Sequence, residues 1–428
     1  MEKLMQYVWQ HRLWLQRDMV TVDGRRVEVI DQGRLNVDSG PDFFNAKVRI
    51  DGEMWAGNVE IHVRASDWRR HGHDSDRAYD TVVLHVVGMD DAEVRRRDGS
   101  VIPQLLMPCA SDFSERYARM VGNPLSELAC AADVGSLPGV FLDDWLSALS
   151  FERLYGKVDR IMGLLERFNG SWAEVVYVTL ARALGFGVNS EPFERLALGL
   201  PVRVMMKHRD SLLSVESMLF GQAGLLEGVA AGSDDGYVRR LVDEYRFLSN
   251  KFGLRPCADM GWKFSRMRPQ NLPHRRIAAL AAYVHSGFDV GHAVFEASDE
   301  EELRRAFSVE LTGYWASRYS FASPSACTPS ALGRGSVSLL IINVAVPLIY
   351  ARGLWEGDTV MQDRAVDILM GLRPERNSIV GLFESAGIRC RDAFTSQALI
   401  QLRRGYCEPR KCLYCRIGHR LLAMKARP

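Results

Sequence analysis

The sequence predicts a mixed α/β domain followed by an all-α body and closed by a cysteine-metal knuckle, on three observations. Short apolar runs of strand character, divided by turn signals, fill the N-terminal quarter of the chain. From about residue 110 the apolar residues recur at helical spacing and strand patterns nearly vanish. Near the C-terminus Cys407, Cys412 and Cys415 stand in the order C-x4-C-x2-C, a spacing that lets thiolates grip one metal from a tight turn.

Taken in order, Leu4, Met5, Val8, Trp9 and Leu13 fall near helical spacing and predict a first amphipathic helix within 1–17. "RRVEVID" (25–31), "FFNAKVRI" (43–50) and "MWAGNVEIHV" (54–63) are separated by "DQG", "SGPD" and "DGE", which predicts an antiparallel series. Ser66 and Asp67 can cap a helix over 67–79, and "TVVLHVV" (81–87) reads as a buried strand. Residues 1–109 thus have the order α-β-β-β-α-β. "FLDDWLSALSFERLYGKVDRIMGLLERF" and "SWAEVVYVTLARALGF" belong to a helical body over 110–388, broken at "VGNPLSE", "GLRPCADMG" and "FASPSACTPSALGRGS". A basic, cysteine-rich metal-binding tail occupies 389–428.

Length and composition agree with several domains. A chain of 428 residues exceeds one ordinary core, and 47% hydrophobic with 25% charged residues describes a globular protein. The formal net charge of +1 excludes a globally basic nucleic-acid coat while leaving local basic patches open. "MEKLMQYVWQHRLWLQRD" lacks the continuous apolar stretch of a signal peptide. "VSLLIINVAVPLIYARGLW" contains Asn343 and Pro347 and reads as a buried helix rather than a membrane span. These features predict a cytoplasmic protein with no membrane partner, whose eight cysteines are reduced thiols or metal ligands.

A strand that alternates toward a core should not carry charge unless the charge is partnered or used. Yet Asp42 follows Pro41 at the start of one strand, and Glu60 and His62 lie two apart in the next, on one face. Two close carboxylates repel, and a divalent cation such as Mg²⁺ or Mn²⁺ would hold them ionised together. That ion could orient a water against a phosphodiester, with His62 positioning the nucleophile. The plain structural alternative is that "PD" is a turn and Glu60 pairs with an arginine. Against it, His62, His71, His73 and His85 crowd one segment, where His71, His73 and Asp76 suggest a second cation site. His85 lies in an apolar strand and reads as a core histidine. A zinc hydrolase built from these histidines is a competing reading, ranked lower because no HExxH helix occurs.

The α-β-β-β-α-β order with "PD" and "E-x-H" resembles the PD-(D/E)XK nuclease superfamily. The resemblance implies a restriction-endonuclease-like fold in which Asp42 and Glu60 bind metal and His62 takes the position of the water-supporting lysine. Neutral imidazole can accept a proton but carries no fixed positive charge, which bears on activity. The whole chain also resembles a bacterial domain-of-unknown-function family, through "GPDFFNA", "GNVEIHV", "SDWRRHGHDSDRAYD", "WKFSRMRP" and "YCEPRKCLYCRIG".

The three C-terminal cysteines need a fourth ligand, and His419, four residues beyond Cys415, or Cys390 can supply it. Cys3His indicates structural Zn²⁺, whereas four cysteines admit Zn²⁺ or an iron-sulfur cluster. Around them Arg403, Arg404, Arg410, Lys411, Arg416, Arg420, Lys425 and Arg427 make a basic tail suited to phosphate. Lys263, Arg266, Arg268, Arg275 and Arg276, interleaved with Trp262 and Phe264, suggest a nucleic-acid surface, although solvated charge with two core aromatics explains the same pattern. The expectation is a metal-dependent nuclease-like protein acting on nucleic acid, or else a non-catalytic nucleic-acid- or protein-binding scaffold of the same fold.

Overall fold

The computed structural model describes residues 1–14, 18–36, 38–107, 111–122, 127–227, 229, 235–257, 259–325 and 328–423. Lys425 and Arg427 lie outside this set, as do parts of the expected breaks at 121–127 and 321–336. The described chain forms two compact units, Met1–Leu137 with Arg403–Pro428, and Pro138–Leu402. This division differs from the boundaries expected at 109/110 and 388/389: residues 110–137 and 403–428 group with the N-terminal unit, and 389–402 with the helical one.

In unit 1 a helix α1 (Glu2–Gln10) precedes the strands β1 (Met19–Val20), β2 (Arg26–Asp31), β3 (Arg34–Leu35), β4 (Phe43–Ile50) and β5 (Glu53–Arg64). A single helical turn α2 (Asp67–Arg70) then leads to β6 (Val82–Met89), β7 (Gln104–Leu106) and a helix α3 (Ser111–Gly122). The sheet runs β1-β2-β4-β5-β6-β7, with β3 also paired to β4. β2, β4 and β5 are antiparallel neighbours, whereas β5 and β6 are parallel, as are β6 and β7. The expected strands and their antiparallel series are therefore present, within one or two residues at each end.

β5 is buried on both sides because its two faces have different partners. Val59 and Ile61 join Leu4, Met5, Val8 and Trp9 of α1 and Leu84 and Val86 of β6 in the main core of the unit. Glu60 and His62 are paired in register with His85 and Val87, and paired residues of parallel strands share a face. That second face is covered by a smaller cluster of Ala65, Trp68, Tyr79, Val82, Val87, Val94 and Ile102.

The helix expected over 67–79 stops after one turn. Gly72 adopts a left-handed φ of 77°, and the N–H groups of Gly72 and His73 bond back to the carbonyls of Arg69 and Trp68 at 3.0 Å each. This closure ends a helix and reverses the chain. A 3-10 turn, Arg77–Tyr79, follows.

Among its described residues unit 2 is helical apart from a small ladder between Arg318–Ser320 and Ser323–Pro324. Its longest helix is Gly139–Arg167, and the helix Trp172–Leu184 is apolar nearly all round and sits in the core with Phe193, Phe220, Phe307 and Trp315. The apolar run read as a buried helix forms Arg334–Leu340, a π turn Ile341–Ala345 and Val346–Glu356. Length and composition would let this run cross a membrane, but 72% of its most apolar window is buried inside the unit. It is a core helix.

Candidate metal centre

The site grows from the change of strand direction at β5. Pairing of Phe43 with Val59 sets Asp42, one residue ahead of β4, beside Glu60. The Asp42 N–H donates to Glu60 Oε2 at 3.0 Å. Its carboxylate accepts from Gln6 Nε2 of α1 at 2.8 Å through Oδ1, and from the Ile61 N–H at 3.0 Å through Oδ2. The first helix and the strand backbone thus fix the Asp42 carboxylate against the Glu60 carboxylate.

The turn closed by Gly72 brings His71 and His73 back over the same face. Glu60 Oε1 lies 3.5 Å from His62 Nε2 and 3.3 Å from His73 Nε2. His62 Nε2 lies 3.2 Å from His71 Nδ1. The ligand atoms of His62, His71 and His73 all fall within 4.8 Å of one another. Four donors placed tetrahedrally about 2.0–2.1 Å from a zinc-sized ion stand ~3.3 Å apart. The separations of 3.2 Å for His62–His71, 3.3 Å for Glu60–His73 and 3.5 Å for Glu60–His62 match three of the six edges of such a tetrahedron. Imidazole nitrogens and a carboxylate oxygen converging this closely need either shared protons or a cation between them.

Behind this set stands His85, fully buried, whose Nε2 lies 2.9 Å from His62 Nδ1. A proton on His62 Nδ1 directed at His85 leaves the His62 Nε2 lone pair free for a metal. His85 Nδ1 is buried with no hydrogen-bond partner. The indole of Trp68 packs against both His73 and His85 at ring separations of 5.5 and 5.3 Å, and the Tyr79 ring stacks on His73 at 3.7 Å. Trp68 is itself anchored by its Nε1–H, which donates to the Arg95 carbonyl at 3.1 Å. His71 is exposed, whereas the side chains of His62 and Glu60 are 1% and 6% exposed, so the cluster opens to solvent on the His71 side.

The electrostatics follow from burial. Asp42 is pushed up to about 7, first by burial and then by the Glu60 carboxylate. Burial, and then the neighbouring imidazoles of His85, His73 and His71, hold His62 down at about 2, while burial lowers His85 to about 3. The histidines at the base are therefore neutral, the form in which imidazole binds a metal. Tyr79 is raised to about 12 by burial and then by Glu60 and Asp42.

Of the residues expected here, Asp42, Glu60, His62, His71 and His73 come together. Asp76 does not: it is exposed, and its Oδ1 accepts the Ala78 N–H at 2.9 Å as the cap of the 3-10 turn. The proposed pair of cation sites reduces to one cluster joined through Glu60. Among the described residues the partners of the Glu60 carboxylate are Asp42, His62 and His73, none of them an arginine. His85 is a core histidine as expected, yet it also supports His62. Gln6, which holds Asp42, had no sequence signal beyond its place in the first helix.

The other expected constellations fare differently. His419 Nδ1 pairs with the Tyr7 hydroxyl, and its ring packs edge-on against His11 at 5.0 Å. Cys390 belongs to unit 2, where its thiol donates to the Asp392 carbonyl at 3.7 Å. Cys407, Cys412 and Cys415 are in unit 1 and carry no disulfide. In the segment 262–276, Arg275 and Arg276 are buried rather than presented to a polymer. Arg275 donates to the carbonyls of Trp315, Arg318 and Pro329, and Arg276 donates to Asn271 Oδ1 at 2.6 Å while lying over the Phe186 ring. Trp262 donates to the Ala223 carbonyl and packs against Phe193. Lys263, Arg266 and Arg268 remain exposed, with Phe264 beside them. In the tail Lys411 is exposed and Arg410 half-buried.

Comparison with curated proteins and with solved structures gives no match. A family model described as a protein of unknown function (DUF2851) matches residues 2–378, a span that holds Asp42, Glu60 and all four clustered histidines. On the extent of that match, the chain belongs to the DUF2851 family.

Proposed function

We propose that unit 1 is a metal-dependent, nuclease-like hydrolase of phosphodiester bonds in nucleic acid, working at the Glu60–His62–His71–His73 cluster. The observation that carries this reading is the spacing of those four donors beside a second carboxylate, Asp42. An N₃O donor set suits borderline transition metals such as Mn²⁺ or Zn²⁺ better than Mg²⁺, which prefers oxygen alone. A bound ion would lower the pKa of a water and offset the charge that develops on a phosphoryl oxygen. Asp42, held by Gln6 and the Ile61 N–H, is placed to accept the proton of such a water. The likeness to the PD-(D/E)XK order supports the substrate class: a helix, three antiparallel strands, a crossover and a parallel strand, with acids just ahead of the second and within the third strand.

A second reading has its own support. Three imidazoles and one carboxylate would fill all four positions of a zinc-sized ion, and closed sites are the mark of structural ions. In that reading the unit is a scaffold that binds nucleic acid or protein without cleaving it. Protein stripped with chelator and reloaded with Mn²⁺, Zn²⁺ or Mg²⁺, then incubated with single- and double-stranded DNA and RNA, separates the two. The hydrolase reading predicts products with Mn²⁺ or Zn²⁺ that vanish in Asp42→Ala and Glu60→Ala. Bound metal without products on any of the four polymers leaves the scaffold.

A further inference from the structure

Within unit 2 a group of cations gathers around aromatic rings at the surface. The helix Gly236–Phe252 closes at Gly253, whose left-handed φ of 65° leaves Lys251 and Phe252 in the last turn. A short helix Val202–Met205 and the 3-10 turn Met206–His208 bring Lys207 and His208 to the same place. Two ammonium groups share the Phe252 ring, Lys251 Nζ at 5.2 Å and Lys207 Nζ at 5.9 Å from its centre, and the His208 ring packs edge-on against it at 5.5 Å. Lys251 Nζ also lies 6.0 Å from the centre of the Phe247 ring, four residues back on the same helix face, and 3.2 Å from His208 Nε2. An ammonium only donates, so the imidazole accepts.

Three features set this group apart from ordinary solvated lysine. No carboxylate among the described residues, Asp210 included, forms an ion pair with Lys207 or Lys251; on the same helix Asp243 is taken by Arg246 at 3.1 Å, and Glu244 accepts the Ser214 hydroxyl at 2.7 Å. Lys251 is held between two rings and an imidazole, so part of the rotamer freedom that a lysine loses on gripping an anion is already gone. Two of its three donors remain for oxygen acceptors. Phe247, finally, is 61% exposed, an apolar ring left in water beside a fixed positive charge.

A polymer in which phosphates alternate with planar bases fits all three features. Phosphate oxygens take the ammonium donors, and an unpaired base stacks on the open ring. A duplex keeps its base faces stacked internally, and an acidic peptide has no plane to lay on Phe247. Insertion into a lipid surface is disfavoured because Arg240 and Asp243, seven and four residues before Phe247, are exposed on the same helix face.

We propose that Lys207, Lys251 and Phe247 form a docking patch for single-stranded nucleic acid on unit 2. The choice of polymer rests on the function proposed above, whereas binding at this patch requires neither metal nor cleavage.

The test uses the full chain in chelator, where no turnover takes place, and reads fluorescence anisotropy of a labelled oligothymidine of about 20 nucleotides across a KCl series. The double variant Lys207→Gln, Lys251→Gln should bind more weakly, with the slope of log affinity against log salt reduced by about 1.4, two phosphate contacts at about 0.7 each. Phe247→Ala should lose about fivefold or more in affinity at every salt concentration and keep the parent slope. Both variants should melt like the parent, since the altered side chains are exposed. No binding by the parent, or parent-like affinity and slope in both variants, overturns the patch. An equal loss for a duplex of the same length in Phe247→Ala overturns the single strand as its partner. So does binding of polyglutamate or phosphatidylserine vesicles as tight as that of the oligonucleotide and lost in the same lysine variant. Because each measurement is made without metal, failure to find nuclease products leaves these outcomes unchanged.

Discussion

Replacing His85 by leucine should separate metal affinity from fold stability. The substitution removes the Nε2 that lies 2.9 Å from His62 Nδ1, and it also removes the unpartnered buried Nδ1. A buried polar atom without a partner costs about 1–3 kcal/mol. Leucine eliminates one such atom but leaves His62 Nδ1 without its neighbour, so the two effects oppose each other at similar size. Leucine also fills much the same volume against Trp68 and Val87. In chelator, therefore, the melting temperature of His85→Leu should stay within a few degrees of the parent. Metal affinity should fall, because nothing then fixes the His62 tautomer with Nε2 free. Loss of such a supporting hydrogen bond costs about 10–100-fold in affinity. By linkage this removes ~1.4–2.7 kcal/mol of metal-dependent stabilisation. Competition titration with a chromophoric chelator and paired melts with and without Zn²⁺ measure the two quantities. A large drop in metal-free stability with unchanged affinity would show that His85 is packing alone and refute the reasoning.

Four other outcomes follow from the same structure. In chelator, Asp42 is a carboxyl whose folded value, about 7, lies above its ordinary 3.8, so it favours the fold while protonated and that contribution is lost as pH rises from about 4 through 7; Asp42→Asn should be the more stable protein at pH 8 by ~1–3 kcal/mol in denaturant melts, and an equal or steeper pH slope in the variant would contradict this. Gly418→Ala drives a methyl into the Cys412 carbonyl and should cost about 2–4 kcal/mol in denaturant melts, whereas a variant that melts like the parent would show that the turn relaxes freely. Charge reversal at Lys263, Arg266 and Arg268 should leave the melt unchanged while weakening nucleic-acid binding and flattening its salt dependence, and Arg275→Ala should instead destabilise the protein by about 3 kcal/mol or more, since three backbone carbonyls lose their donor; unchanged affinity across a salt series in the triple variant returns that patch to ordinary solvated surface.

The strands were legible because alternation and turn residues are local properties: 26–31, 43–50, 53–64 and 82–89 all lie within one or two residues of the runs that announced them. The pairing of Asp42 with Glu60 was legible for the same reason, since a short hairpin joins their strands. The turn at 70–73 was not. Asp67 and Trp68 open a helix that the left-handed Gly72 closes, and this closure, invisible to a helical pattern, lifts His71 and His73 onto Glu60. Asp76 looked like a ligand because it follows two histidines, but an Asx cap explains it without metal. Local charge density could not distinguish the buried Arg275 and Arg276 from the exposed Lys263, Arg266 and Arg268. The helix Pro273–His285 buries both arginines, Arg275 beneath the carbonyls of Trp315, Arg318 and Pro329 and Arg276 against Asn271 and the Phe186 ring.

The central claim is that one divalent transition metal binds among Glu60, His62, His71 and His73. Anomalous diffraction from crystals grown with Zn²⁺, with data collected on both sides of the zinc edge, tests it most directly. An edge-specific peak is expected about 2.0–2.2 Å from Glu60 Oε1, His62 Nε2, His71 Nδ1 and His73 Nε2. No peak inside that tetrahedron, with the four side chains instead linked by hydrogen bonds at full occupancy, would contradict it.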